Sequence, residues 1–263
     1  MEKSKKEHNK LILTGGGTRG IYQIGAMKAL DEQELLKDVN SISATSIGAV
    51  NAGLYLSDYS VDDIKEFWDT FTREKLLKNV NPNSKYHAFQ MIKETFFQKG
   101  IDISRFRQLL DYYIKEEEIR DSGTELVITA YNQTKKKLEY RCLANIPEGK
   151  LVDYILASAR LPFFKPVVID GHSYLDGGVA DNEPHFSYLD ERHFDLLITI
   201  KTVVIKKYLL GQVKDNISYD DKLVIKPTEG PGMPLSFDKD ELERRYQMGY
   251  EDAQQVVDNS ASV

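Results

Sequence analysis

The sequence predicts a single α/β domain in three layers, α/β/α, with a mostly parallel central sheet and a helical cap. Three observations point there. Two short apolar runs, Leu11 to Leu13 and Val39 to Ala44, each end in a turn of small residues and lead into a helical pattern. Repeated strand-turn-helix units of this kind make parallel strands joined by right-handed crossovers. The chain of 263 residues, 41% hydrophobic and 29% charged, is long enough for one sizeable core and shows no Pro-, Gly- or Ser-rich linker that would divide it.

In chain order, residues 1–10 are Lys- and Glu-rich and are expected to form a flexible lead-in to a domain spanning residues 11–258, with 259–263 as a tail. Leu11 to Thr14 is the first strand. Ile21, Ile24 and Met27, with Ala26 and Ala29 between them, have helical spacing, so Gly15 to Gly20 lies at a strand-to-helix junction. Val39 to Ala44 is the second strand, and Gly48 to Leu56 its helix. The cap covers about residues 60–120. Its first helix starts at Ser60, with Asp62 and Asp63 at the positive end of the dipole and Ile64, Phe67, Trp68 and Phe71 on one face. Two more helices are expected over 86–97 and 104–119, the latter capped by Ser104. Glu125 to Tyr131 and Lys137 to Leu143 read as an antiparallel strand pair. Leu151 to Ala159 is a helix ending before Pro162. Phe194 to Lys201 and Leu223 to Lys226 are strands, and Asp238 to Val257 is a closing amphipathic helix.

The formal charge of −6 supplies no basic field for nucleic acid or an anionic surface. The single cysteine, Cys142, excludes an internal disulfide and reads as a buried thiol in a reducing compartment. No apolar stretch precedes Leu11, and the run Leu196 to Ile205, broken by Lys201, is short of the ~18–20 residues a membrane span needs. A cytoplasmic protein is therefore expected. No His/Cys spacing fits a metal site, and no cofactor is expected.

The chemistry centres on Ala44-Thr45-Ser46-Ile47-Gly48. A serine on a sharp strand-to-helix turn holds its hydroxyl clear of the sheet, and small neighbours let the two backbones approach. The usual pattern is Gly-x-Ser-x-Gly, and Ala44 replaces its first glycine. Gly15-Gly16-Gly17-Thr18-Arg19-Gly20 fits Gly-x-Gly-x-x-Gly, whose amides can face an anion at a helix start. A dinucleotide site would also need an acid at the tip of the second strand, where this chain has the elbow instead. A P-loop would need Gly-Lys-Ser/Thr. The remaining reading is an oxyanion hole on the neighbouring strand tip, with amides worth roughly 10²–10³ in rate apiece. A serine needs a base, and Asp176, freed by Gly177 and Gly178, is the candidate.

In this order, a glycine-rich loop, a serine elbow and an Asp-Gly-Gly, the motifs resemble those of the patatin-like phospholipases. Ala157 to Phe164, Asp176 to Pro184 and Met248 to Ala253 resemble further stretches of that family. The likeness implies a patatin-like fold and a serine lipid acyl hydrolase of phospholipase A or esterase type. Ser46 and Asp176 would form a catalytic dyad, and the amides of Gly15, Gly16, Gly17 and Thr18 the oxyanion hole. Gly20, Ala44, Gly48, Gly177 and Gly178 would support the motifs. Arg19 would fasten the glycine loop to a carboxylate or bind a phosphate head group. The substrate would be a phospholipid or other acyl ester, with transient contact to a membrane surface and no nucleic acid. Asp176 would need partial burial to raise a pKa ordinarily near 3.9.

Two alternatives stay open. His185 and His193 follow Ser46 and Asp176 in the order of a Ser-Asp-His esterase triad. The scaffold would also serve as a binding or regulatory module of weak or no turnover, for which Ala44 is the one pointer. Phe67, Trp68, Phe71, Phe96 and Phe97 either line an acyl channel or pack helices.

Overall fold

The computed structural model describes residues 8–70, 100–190, 192–203 and 215–260. The expected helix over 86–97, the residues Phe71, Phe96, Phe97 and His87, and most of the lead-in and tail lie outside them. The strands are β1 (Asn9–Leu13), β2 (Val39–Thr45), β3 (Glu125–Asn132), β4 (Lys137–Cys142), β5 (Val167–Ile169), β6 (His172–Asp176), β7 (His193–Ile200) and β8 (Ser218–Ile225). The helices are α1 (Ile21–Glu32), α2 (Ile47–Leu56), α3 (Val61–Asp69), α4 (Ser104–Tyr113), α5 (Glu116–Asp121), α6 (Leu151–Ser158) and α7 (Lys239–Ser260).

Eight strands form one mixed, mostly parallel sheet flanked by helices, in the order β5-β6-β3-β2-β1-β7-β8 with β4 also on β3. β1 pairs in parallel with β2 and β7, and β3 and β8 extend the parallel part on either side. The fully buried Leu11, Ile12 and Leu13 show why β1 reads as a continuous apolar run: it is the covered centre of the sheet. Register along β3 decides where the site lies. Residues Val127 to Asn132 pair with β4 on one edge. The opposite edge is shared, with β2 ending at Thr45 opposite Thr129 and antiparallel β6 ending at Asp176 opposite Ala130. The tips of β2 and β6 therefore meet head to head.

The glycine and elbow units fold as read, and β1 starts slightly earlier than expected, at Asn9. Lys10 is buried there, donating to Ser41 Oγ at 2.7 Å, whose hydroxyl donates to Glu125 Oε2 at 2.5 Å. Ser60 caps α3 with a full capping box closed by Asp63. The expected helix over 104–119 is two helices. Ile114 turns extended to bury itself, and the Lys115 amide donates to Ser57 Oγ at 2.9 Å. Nor is Ser104 its cap: the Ser104 amide donates to the Asp102 carboxylate at 2.8 Å, one residue before the Ile103 N-cap. The described part of the 60–120 region joins the main core, with Ile64, Phe67, Trp68, Leu110 and Ile119 buried in the same cluster as the sheet residues. Phe67 and Trp68 are thus packing residues, and the Trp68 indole N–H donates to Asn51 Oδ1 at 3.0 Å. The short strands β5 and β6 were not anticipated, and β8 begins at Ser218 rather than Leu223. α7 runs on to Ser260, past the expected end of the domain at residue 258.

Candidate active site

Ser46 follows β2 and heads α2 with φ 58° and ψ −127°, a left-handed conformation that a side chain adopts only at a cost of about 1–3 kcal/mol. The tight elbow explains Gly48, where a Cβ would stand 2.3 Å from the Leu13 carbonyl oxygen. Ala44 lies within β2, opposite Leu13 on β1 and Ile128 on β3, with its side chain fully buried. The bend comes two residues later, so an alanine methyl at this position is core packing. Ser46's own amide donates to Ser158 Oγ at 2.8 Å, and the Ser158 hydroxyl donates to the Thr129 carbonyl at 2.6 Å. One serine on α6 thereby ties the elbow to β3.

Asp176 arrives at the end of β6 and is 5% exposed, against 6% for Ser46. Its amide donates to the Arg160 carbonyl at 2.8 Å. Its Oδ1 accepts the Gly178 amide at 2.7 Å, and its Oδ2 accepts the Ser46 hydroxyl at 2.5 Å. Burial pushes the Asp176 carboxyl up to about 6, outweighing the opposing pull of the hydrogen bonds from Ser46 and Gly178. Gly177 packs beneath it against Thr129. Arg160 is buried and donates to the Phe164 carbonyl at 2.7 Å and to Gln133 Oε1 at 3.2 Å, which fixes the turn that receives Asp176. Chemically, a hydroxyl seated at the positive end of a helix and hydrogen-bonded to a buried carboxylate has a proton acceptor in place.

The glycine loop lies against this pair. A Cβ on Gly15 would come within 2.8 Å of Ser46 Cβ and 2.6 Å of Asn182 Oδ1. The Gly15 amide donates to Asn182 Oδ1 at 3.0 Å, and the Thr18 amide donates to the Pro234 carbonyl at 2.7 Å. Two of the four amides grouped as oxyanion donors are therefore engaged in holding the loop. Those of Gly16 and Gly17 have no partner among the described residues. Gly20 sits under the loop, against Ile47 and Trp68. Arg19 fastens the loop, but to a carbonyl rather than a carboxylate: its Nε and Nη2 donate to Gly232 O at 2.9 and 2.6 Å.

The histidines are occupied elsewhere. His185 Nε2 lies 3.2 Å from Glu183 Oε1, and His193 faces Ser218 Oγ at 2.9 Å and Asp220 Oδ1 at 3.0 Å. Neither hydrogen-bonds to Ser46 or Asp176, because each ring is held by its own neighbours. Cys142 is buried at the end of β4, and burial raises its thiol pKa, as a structural thiol requires. No helix among the described residues is long and apolar enough to cross a membrane.

Sequence reasoning missed several residues that the fold brings to the site. Ser158 and Asn182 fall inside stretches with recognisable pattern, yet nothing local says that one carries the elbow amide and the other the Gly15 amide. Thr202, whose hydroxyl donates to the Gly15 carbonyl, and Pro234, which receives Thr18, follow or sit in loops with no motif of their own.

An α/β sheet with a serine elbow set against a glycine loop and an aspartate-tipped strand defines a class of α/β scaffold. Comparison with known proteins places the chain within it. A sequence model described as Patatin-like phospholipase matches residues 11–187, and the chain belongs to that family. It is 24% identical over 183 residues to Probable lipid hydrolase 463L of Invertebrate iridescent virus 6, covering 68% of this chain and 62% of the viral protein. It is 31% identical over 185 residues to Lysophospholipase nte1 of Aspergillus terreus, covering 68% of this chain but 11% of the fungal one. The chain thus spans under two thirds of either relative's length. Among solved structures, VipD from Legionella pneumophila shares the fold, with a TM-score of 0.61 at 17% identity over 96% of this chain and 67% of VipD.

Proposed function

We propose that the protein is a serine lipid acyl hydrolase, of phospholipase A or esterase type, in which Ser46 is the nucleophile and Asp176 its base. The observation that carries this reading is the 2.5 Å hydrogen bond from Ser46 Oγ to Asp176 Oδ2 inside a buried pair. Asp176 takes the hydroxyl proton as Ser46 attacks the ester carbonyl carbon. The negative charge that develops on the carbonyl oxygen is met by the Gly16 and Gly17 amides, while those of Gly15 and Thr18 keep the loop in place. Collapse of the tetrahedral intermediate expels the alcohol, which leaves with the proton held by Asp176. Asp176 then deprotonates water, and the same steps in reverse order release the acid and restore Ser46. A carboxyl with a pKa of about 6 suits both directions of transfer better than one near 3.8.

The substrate class is a lipid acyl ester, phospholipids included. The family and the names of its lipid hydrolase and lysophospholipase relatives support it. Such esters reside in interfaces, so brief contact with a lipid surface belongs to the same reading. A cytoplasmic setting fits the lone, buried, unpaired Cys142. The test is labelling with a fluorophosphonate, which the wild type should take up on Ser46 and Ser46→Ala should not. Ser46→Ala and Asp176→Asn should each lose ester hydrolysis, at least 10³-fold, with unchanged circular dichroism. Most activity surviving in either variant would sink the assignment. His185→Ala should keep its activity. Comparing short-chain esters with phospholipid vesicles then separates esterase from phospholipase.

A further inference from the structure

The glycine loop is held from behind by a residue more than two hundred positions away in the chain. Arg245, on α7, is fully buried. Its Nη1 donates to Thr18 Oγ1 at 3.0 Å, its Nη2 to the Met233 carbonyl at 2.8 Å and its Nε to Glu241 Oε1 at 3.2 Å. The Thr18 hydroxyl in turn donates to the Pro234 carbonyl at 3.2 Å, the same oxygen that accepts from the Thr18 amide. Next to it, Arg19 grips the Gly232 carbonyl. Three successive carbonyls, of Gly232, Met233 and Pro234, are thus stitched to residues 18, 19 and 245.

Burying a guanidinium is expensive, and an apolar side chain of similar volume would pack α7 against the loop at lower cost. What an apolar residue cannot do is donate at once to a hydroxyl on one segment and a carbonyl on the other, in the fixed fork of a guanidinium. α7 is itself anchored, since the Tyr22 hydroxyl of α1 donates to Asp252 Oδ2 at 2.8 Å. Thr18 lies in the one-turn 3₁₀ helix Gly17–Gly20, directly after Gly16. A tilt of that turn would re-aim the Gly16 and Gly17 amides together, and an oxyanion donor is effective only when its direction is set beforehand.

We propose that Arg245 is a positioning residue for the oxyanion loop: through Thr18 and the 232–234 segment it fixes the direction of the Gly16 and Gly17 amides, and so governs the rate of acyl transfer without touching the substrate. This rests on the ester-hydrolase reading above, and deepens it.

The experiment compares wild type with Thr18→Val, Arg245→Met, Arg245→Lys and the double variant Thr18→Val/Arg245→Met. The readouts are kcat and KM on a soluble p-nitrophenyl butyrate substrate, and the inhibition constant of a trifluoromethyl ketone, whose hemiketal on Ser46 carries the oxyanion. In Thr18→Val and Arg245→Met, kcat should fall about tenfold to a hundredfold, with KM within about twofold. Ketone binding should weaken by the same factor as kcat falls. Arg245→Lys should recover part of the loss, and the double variant should be no worse than the poorer single one. Thr18→Val exchanges a hydroxyl for a methyl of similar size, so it carries the test even where Arg245→Met does not fold. Full kcat and unweakened ketone binding in Thr18→Val, with an active wild type, would overturn the positioning role while leaving the hydrolase reading intact. A wild type that hydrolyses no ester overturns both.

Discussion

Thr45 and Asp176 sit consecutively along one edge of β3, Thr45 opposite Thr129 and Asp176 opposite Ala130, although 131 positions separate them in the chain. β2 climbs that edge from below and β6 descends it from above, and the two stop where they meet. Ser46, the next residue after Thr45, therefore faces Asp176 because of strand register, before any loop adjusts. A shared edge of this kind is rigid, since both tips are pinned to the same neighbouring strand, and it delivers hydroxyl and carboxylate at 2.5 Å.

The first prediction concerns strain stored at the elbow. Ser46 holds φ 58° and ψ −127°, which glycine accepts and alanine does not. Ser46→Gly should be more stable than Ser46→Ala by about 1 kcal/mol, read from urea midpoints at constant slope. Both should be inactive. Equal stability of the two variants would mean that the turn relaxes once the hydroxyl is gone.

A second prediction follows from the Asp176 carboxyl, lifted by burial to about 6. As the proposed base it would act ionised, so kcat/KM should fall about tenfold per pH unit below 6 and level off above it. The sign for stability is opposite. With the folded pKa above the unfolded value of 3.8, the unfolded chain ionises first as pH rises. The contribution of this group is therefore complete below about pH 4 and is lost as pH rises through 6. A carboxyl moved from 3.8 to about 6 corresponds to about 3 kcal/mol. Urea unfolding of wild type and Asp176→Asn at pH 4 and pH 8 should show the wild type losing about that much relative to the variant. Parallel pH dependences would contradict a buried carboxyl.

Ser158 offers a third. Its hydroxyl links the Ser46 amide to the Thr129 carbonyl, and the residue is fully buried. Ser158→Ala leaves a buried donor and a buried acceptor without it, at a cost of about 2 kcal/mol. The elbow would loosen by the same change, so fluorophosphonate labelling of Ser46 should slow about tenfold. Wild-type labelling kinetics in a destabilised Ser158→Ala would assign Ser158 to folding alone.

Much of this site was legible because its parts are local. A strand running into glycines and out into a helix is written within a few consecutive residues, as at Leu11 to Ile21 and Val39 to Leu56. Asp176 was legible through the glycines after it, but the strand carrying it was not: His172-Ser173-Tyr174-Leu175-Asp176 has no decisive alternation, and β6 exists because β3 and β5 pair with it. The exposed start of β8 is invisible for a related reason, since an edge strand with Tyr219, Asp220 and Asp221 in solvent lacks an apolar pattern. Arg245 reads as one more charge on an amphipathic helix, and only the packing of α7 on α1 turns it inward. Ser104 does not cap its helix because the helix starts one residue earlier than the serine suggests, and the Ser104 amide is taken up by the Asp102 carboxylate instead.

The last prediction concerns Ala44, the position where the serine motif departs from glycine. Its methyl is fully buried between Leu13 and Ile128 of the adjoining strands, two residues before the backbone bends. Restoring the motif with Ala44→Gly would remove a packed methyl and give the unfolded chain more freedom, and both effects are destabilising. The expected loss is about 1 kcal/mol, with kcat unchanged within about twofold because neither Ser46 nor Asp176 leans on that methyl. Were the methyl instead distorting the elbow, Ala44→Gly would raise kcat and speed fluorophosphonate labelling. Measuring stability together with labelling rate on this one variant decides between a tolerated substitution in a strand and a brake on Ser46.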